Sequence, residues 1–184
     1  MGRRKLFNRD QVLDKALPVF WQNGYAHTTV QDLELATGVN KSGLYGEFSG
    51  KEDLFLSSLL YYMANRGGAE RLLREPLGWD NVQSFLELSL TRPYGQRGCF
   101  VVNSLREVAV LPAQAANLLN HSRERLTELL ELNLAAATTR LPPAALAALA
   151  LTFYTGLSME QNVATTSEAG QERIASFMAL LRAA

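Results

Sequence analysis

The stretch Thr28-Thr29-Val30-Gln31-Asp32-Leu33-Glu34-Leu35-Ala36-Thr37-Gly38-Val39-Asn40-Lys41-Ser42-Gly43-Leu44-Tyr45-Gly46-Glu47-Phe48 decides how this 184-residue chain is read. Its spacing predicts a short helix, a tight turn at Gly38 and a second short helix. Thr28 is placed to cap the first, with Gln31 three residues later as a capping box requires. Val30, Leu33 and Ala36 then recur on one helical face. Gly38 can end that helix in the left-handed conformation at no steric cost. Asn40 is a good N-cap for the next. Leu44 and Phe48 lie four residues apart and share a face. Lys41, Ser42, Gly43 and Tyr45 point elsewhere. So short a helix has too little apolar surface to stand alone. Neighbours must hold it, which leaves its other face for a partner.

Two short helices across a tight turn are the device that sets one helix into the major groove of DNA. The exposed residue types suit phosphate. The hydroxyls of Thr28 and Thr29 fall at a helix start, where free N–H groups and the dipole favour an anion. Lys41 puts a charge at the start of the second helix, and the Tyr45 phenol can donate to a phosphate oxygen. Lys51 follows beside a second expected capping box, Ser49 to Glu52. Such contacts fix register without reading sequence. Base reading would fall to Lys41 and Ser42, with the bare backbone at Gly43 allowing close approach.

Residues 8 to 56 resemble the DNA-binding domain of the TetR family of bacterial transcriptional regulators. The likeness runs through Ala16 to Phe20, Gly24-Tyr25, Thr28-Thr29-Val30, Asp32-Leu33, Ala36, Gly38-Val39, Lys41, Leu44-Tyr45, Phe48, Lys51-Glu52 and Leu54-Phe55. It implies phosphate contacts at Thr29, Tyr45 and Lys51, and base or backbone contacts near Lys41, Ser42 and Gly43. With Thr28 and Leu44, these make up the expected DNA-binding set. The chain also departs from the family's pattern. Gly43 stands where Ser or Thr is common, and Gly46-Glu47 where Ala, His or Asn is common. Each glycine weakens the helix by roughly 1 kcal/mol relative to alanine. Glu47 would repel phosphate if it faced it. The departures bear on which operator is read, not on the motif.

The charge balance hides local order. Eighteen basic and eighteen acidic residues give a formal net charge of zero. Yet Arg3, Arg4, Lys5 and Arg9 precede the first acid, Asp10, as an arm suited to a phosphate backbone or a minor groove. No stretch is long and apolar enough to span a membrane, and no signal-peptide pattern opens the chain. One cysteine cannot form an intramolecular disulfide. The expected compartment is the cytoplasm.

The pattern elsewhere is helical throughout, so the expected fold is all-α. A three-helix DNA reader with its basic arm occupies residues 1–50. A helical ligand-binding and dimerisation body occupies 51–184. Asn8 opens the first helix, stapled by Phe7 and Val12, and Gly24 closes it. A fourth helix is expected from Lys51 to about Asn65, followed by a break at Gly67-Gly68. Asp80 with Gln83 is expected to cap a helix after the loop at Pro76-Leu77-Gly78. Residues 92–98 read as a polar loop, and Cys99 to Val110 as a helix. Pro112 opens a long helix that Pro142-Pro143 end, starting the next. Ala144 to Leu151 is apolar on nearly every face. That segment and the final helix are similar to the pair through which TetR-family members dimerise. A homodimer through about 142–162 and 168–182 is therefore expected, gripping a two-fold operator.

The resemblance further implies a small-molecule inducer, held in the body, that weakens DNA binding by shifting a population. Aromatic and soft side chains supply the candidate pocket: Tyr62, Phe85, Cys99, Phe100, Phe153 and Tyr154. Cys99 follows Arg97-Gly98 near a helix start, surroundings that can activate a thiol. A redox-, electrophile- or metal-sensing repressor of the same fold is the alternative. His27 and His121 lie far apart, and no C-x-x-C or H-x-x-x-H spacing is present, so neither a metal site nor a cofactor is expected. Catalysis has no support either. The chain lacks a G-x-S-x-G elbow, a P-loop and a glycine-rich turn after a strand.

Overall fold

The computed structural model describes residues 7–91, 95–164 and 166–184. Every regular element among them is helical. In chain order they are α1 (Arg9–His27), α2 (Val30–Thr37), α3 (Lys41–Glu47), α4 (Lys51–Arg66), α5 (Ala69–Leu72), α6 (Trp79–Glu87), a 3-10 turn (Leu88–Leu90), α7 (Phe100–Leu105), α8 (Ala113–Ala135), α9 (Pro143–Glu160) and α10 (Glu168–Ala183). The expected arm residues Arg3, Arg4 and Lys5 lie outside the described residues, as do 92–94 of the polar loop. The chain forms two compact units. One contains residues up to Arg66 together with Asn103–Asn117, the other Gly67–Val102 with Leu118–Ala184.

In the first unit α1 is the spine. Its inward stripe of Val12, Leu13, Ala16, Leu17, Phe20 and Trp21 is buried. Against it pack Leu54, Phe55, Leu59 and Tyr62 of α4. Phe20 meets Phe55 edge-on at 5.1 Å, and Trp21 meets Tyr62 the same way at 5.2 Å. Aromatic edges on faces are a favoured geometry. Asn8 caps α1 as expected, accepting from the Asp10 N–H.

Gly24 does more than end a helix. Its φ of 77° kinks α1, and one further turn runs on to His27. The Glu107 carboxylate accepts from Tyr25 N at 2.6 Å and from Ala26 N at 3.4 Å. A Cβ at Gly24 would strike that carboxylate. The backbone angle at Gly24 requires glycine, and a side chain there would also push the carboxylate off the two N–H groups.

The second unit is organised by one buried amide. Asn133 of α8 is fully buried. Its Oδ1 accepts from Gly78 N at 3.0 Å and from Asn81 Nδ2 at 2.9 Å. Its Nδ2 donates to the carbonyls of Leu72 and Leu129, each at 2.8 Å. Asn81 Nδ2 also donates to the Arg74 carbonyl at 2.6 Å. These bonds satisfy the Gly78 N–H and the Leu72 and Arg74 carbonyls around the loop between α5 and α6 inside the unit. Elsewhere, Phe153 of α9 stacks on Phe177 of α10 at 4.0 Å. Arg173 pairs with Glu160.

Several element ends correct the sequence reading. The cap of α6 is Gly78, without a side-chain bond, and Asp80 sits inside the first turn. The segment expected as a helix from Cys99 to Val110 is helical only over Phe100–Leu105, with turns after it. Helix α8 stops at Ala135, well before Pro142. No side-chain pattern marks that stop. Pro143 opens α9 as expected, at a position where its missing N–H costs nothing.

Replacing Asn133 by alanine should strand the Gly78 N–H and the Leu72 carbonyl without partners. At about 1–3 kcal/mol per orphaned group, the thermal midpoint should drop by roughly 5–15 °C. A drop below about 2 °C in a calorimetric scan would show that the amide does not organise this unit.

Candidate nucleic-acid interface

Helix α3 has seven residues. Leu44 and the Phe48 at its end, each 1% exposed, bury its inner side. Asn40 caps it by accepting from Gly43 N at 2.9 Å. Glu34 of α2 accepts from the Lys41 N–H. The turn into it is made by Gly38 in the left-handed region, φ 73°, its N–H bonded to the Glu34 carbonyl. Each of these features follows from residue types the sequence displays, except the reach of Glu34.

The outer side of α3 carries Lys41, Ser42, Tyr45 and Gly46, all exposed. They fall at i, i+1, i+4 and i+5, so they form one face. The Lys41 ammonium lies 5.7 Å from the Tyr45 ring centre. Glu47 does not join that face as a bare charge. Arg9 Nη1 donates to the Glu47 carbonyl at 3.1 Å and lies 3.5 Å from its carboxylate. Arg9 Nη2 donates to Ser57 Oγ at 2.8 Å, and the guanidinium sits 4.3 Å over the Phe48 ring. Arg9 is therefore no part of a loose arm. It pins the end of α3 to α4 and counters the one acid of that helix.

The cap of α2 falls to the second of the two threonines. Thr29, not Thr28, caps α2. Its hydroxyl accepts from Asp32 N at 3.2 Å and donates to Asp32 Oδ2 at 2.7 Å, and Asp32 Oδ2 accepts from Thr29 N at 2.8 Å. These bonds hold the Asp32 carboxyl below its ordinary range. The cap's charge is therefore intact at neutral pH and is lost only as pH falls through that lowered value. Thr28 is 1% exposed and donates back to the Gly24 carbonyl at 2.6 Å. Thr28 and Leu44 thus face inward, so neither presents its side chain to a partner. Thr29 is exposed.

Lys51 is half-buried and engaged within the unit. Its Nζ donates to the Tyr25 carbonyl at 2.9 Å and the Thr28 carbonyl at 3.0 Å, 4.5 Å from the Tyr25 ring. It closes the turn between α1 and α2. The expected box from Ser49 to Glu52 is instead a bond from Ser49 N to Asp53 Oδ2 at 2.9 Å. Gly43 is half-buried, and a Cβ there would lie 2.7 Å from Val39 Cγ1. Its bareness serves the fold. Gly46 was not singled out by the sequence as a contact. Its open surroundings become evident only in three dimensions.

The candidate pocket residues divide. Tyr62 lies in the first unit, against Trp21. In the second unit Phe85 stacks on Tyr154 at 4.5 Å. Cys99 is buried, and its thiol meets the Tyr154 hydroxyl. Burial first, and that thiol second, hold the Tyr154 phenol well above its ordinary value. Phe100 is buried, and Phe153 faces Phe177. A separate cleft of about 480 Å³ lies between Gln83, Glu87, Leu90 and Thr91 on one side and Ser167 and Gln171 on the other. None of the six candidates lines it. Among the described residues, no group of three or more His, Cys, Asp or Glu side chains is placed to hold a metal ion. No described helix is long and apolar enough to cross a membrane.

The helices carrying this face match known proteins. Residues 12–57 match the family model described as bacterial regulatory proteins, tetR family. The HTH-type transcriptional repressor ComR of Escherichia coli (strain K12) is 34% identical over 134 residues, 69% of this chain and 63% of ComR. An HTH-type transcriptional regulator of Bacillus subtilis (strain 168), YezE, is 32% identical over 112 residues, 58% of each chain. The chain thus spans less than two thirds of those relatives' lengths. A cysteine mutant of the TetR family transcriptional regulator CifR, solved in complex with a 26-bp double-strand operator DNA, superposes with a TM-score of 0.82. It is 25% identical, over 96% of this chain and 98% of that one. With the Gly38 turn and the buried Leu44 and Phe48 in agreement, residues 12–57 form a domain of the tetR family of bacterial regulatory proteins, on a chain whose all-helical fold is similar to that of CifR.

Proposed function

We propose that the chain is a DNA-binding transcriptional repressor. It would hold a palindromic operator as a homodimer until a small molecule bound in its second unit releases it. The observation that carries this reading is the division of α3. Leu44 and Phe48 anchor the helix inward, while Lys41, Ser42 and Tyr45 stand exposed on the other side. The Arg9 guanidinium beside Glu47 removes the main electrostatic objection. Operator DNA in the CifR complex and the repressor role of ComR support the same reading.

Each exposed side chain takes a role by its chemistry. Lys41 and Ser42 read base edges in the major groove. Tyr45 donates its phenol to a phosphate, and Thr29 lies against the backbone at the start of α2. Lys51 acts first through the Tyr25 and Thr28 carbonyls, and only its remaining N–H is left for phosphate. The reader's own three helices end before residue 50, and α4 from Lys51 packs against them in the same compact unit, which runs to Arg66.

Pairing of two chains is supported by α9 and α10. They leave Leu149, Met159 and Leu180 exposed, 53%, 39% and 69% respectively. Gly156 is bare and exposed between them in register. Two such helices from each chain make a four-helix interface with two-fold symmetry. Release would follow if the inducer binds better to a state whose recognition helices are wrongly spaced, a coupling of about 1–3 kcal/mol.

A second reading is favoured by the Cys99–Tyr154 contact. In it the thiol is the sensor, and its modification displaces the Tyr154 ring from Phe85. Substituting Cys99 by serine should then abolish DNA release by peroxide or an electrophile while leaving affinity for DNA unchanged. Release that persists in the variant removes the thiol from the mechanism.

Two substitutions separate positioning from reading. Tyr45→Phe should weaken binding about fivefold on every duplex tested, the scale of one hydrogen bond, with the salt slope kept because no charge is lost. Lys41→Ala should change which bases are preferred in a selection from random duplexes. A uniform loss for Lys41→Ala, or a changed base preference for Tyr45→Phe, would reverse the two assignments.

A further inference from the structure

Gly43 and Gly46 are equivalent in composition and opposite in surroundings. A Cβ at Gly43 would meet Val39 Cγ1 at 2.7 Å and Asn40 Oδ1 at 3.3 Å. At Gly46 it would meet nothing within 4 Å. Nor does the backbone require glycine there, since Gly46 lies within α3 and is not among the positive-φ glycines. Alanine would make the better helix. Within this chain, then, nothing opposes a side chain at position 46.

Its place on the surface says what does. Gly46 stands one turn after Ser42 on the outward face, so the two form a low strip along α3. Beside the strip, the Lys41 ammonium over the Tyr45 ring makes a ridge. A partner touching both ridge and strip must approach the α3 main chain closely at Gly46. Resting on the reading of α3 as the DNA-contacting helix, we infer that Gly46 is a specificity-determining position. Carbon surface of the duplex, a thymine methyl or a deoxyribose edge, packs there against bare main chain and leaves no room for a methyl group.

The inference makes stability and binding move in opposite directions. The full-length chain and its Gly46→Ala variant are compared by thermal melting and by fluorescence anisotropy. The probe is a labelled duplex selected by the unsubstituted chain from a randomised pool. The variant should melt about 2–4 °C higher, because the helix gains and nothing clashes. It should bind the duplex at least about tenfold more weakly, with an unchanged salt slope, since no ionic contact is removed. Replacing each thymine by uracil identifies the surface. Recovery of the variant at one position assigns a thymine methyl, and no recovery at any position assigns the sugar edge. Equal or tighter binding by the variant overturns the inference and leaves the DNA-binding reading intact. A lowered melting point overturns it too, by showing that the fold itself demands glycine. Failure of the unsubstituted chain to select any duplex overturns the DNA-binding reading, and this inference with it.

Discussion

The burial of Leu44 and Phe48 is the constraint on which the exposed face of α3 depends. Helix α3 has seven residues, two of them glycine. Such a segment has no stability of its own. Two fully enclosed side chains fix it, and at roughly 1.5–3 kcal/mol each their burial outweighs the propensity lost at the glycines. Arg9 adds a second anchor at the far end, through the Glu47 carbonyl, Ser57 and the Phe48 ring. A helix held from one side and at one end presents the remainder as a rigid face. Pre-organisation of that kind lets a small surface bind without ordering costs.

The same anchoring logic extends backwards to the junction between α1 and α2. Gly24, Glu107 and Lys51 meet there. The carboxylate takes the N–H groups of Tyr25 and Ala26, and the ammonium takes the carbonyls of Tyr25 and Thr28. Opposite charges thus serve opposite ends of one turn of backbone. The threonine pair sits directly after it, and its geometry follows. Thr28 turns back to the Gly24 carbonyl, which leaves Thr29 to cap α2.

What the sequence could express was local. Gly38 as a left-handed stop, Asn40 as a cap, and the inward pairing of Leu44 with Phe48 all follow from neighbours within one or two turns. What it could not express depended on distant partners or on direction. Thr28 and Thr29 each have a capping partner three residues on, Gln31 or Asp32, and only the kink at Gly24 chooses between them. Lys51 reads as a surface charge until the carbonyls of Tyr25 and Thr28 are seen beneath it. Arg9 reads as the last residue of a basic arm until Glu47 and Ser57 are placed. Glu107 lies more than eighty positions from the N–H groups it accepts. Gly43 and Gly46 differ only in what stands opposite them. In the second unit, Asn133 carried no signal at all, because its four partners come from three separate segments.

The central claim is that the exposed side of α3 enters a major groove, twice per dimer. Interference by N7-methylguanine reports major-groove contact directly, and N3-methyladenine reports the minor groove. On a duplex selected by the chain, N7 methylation should block binding in two patches, symmetrically placed in successive major grooves on one side of the helix. Interference confined to minor-groove N3 positions, or a single patch occupied by one copy of the chain, would contradict the account.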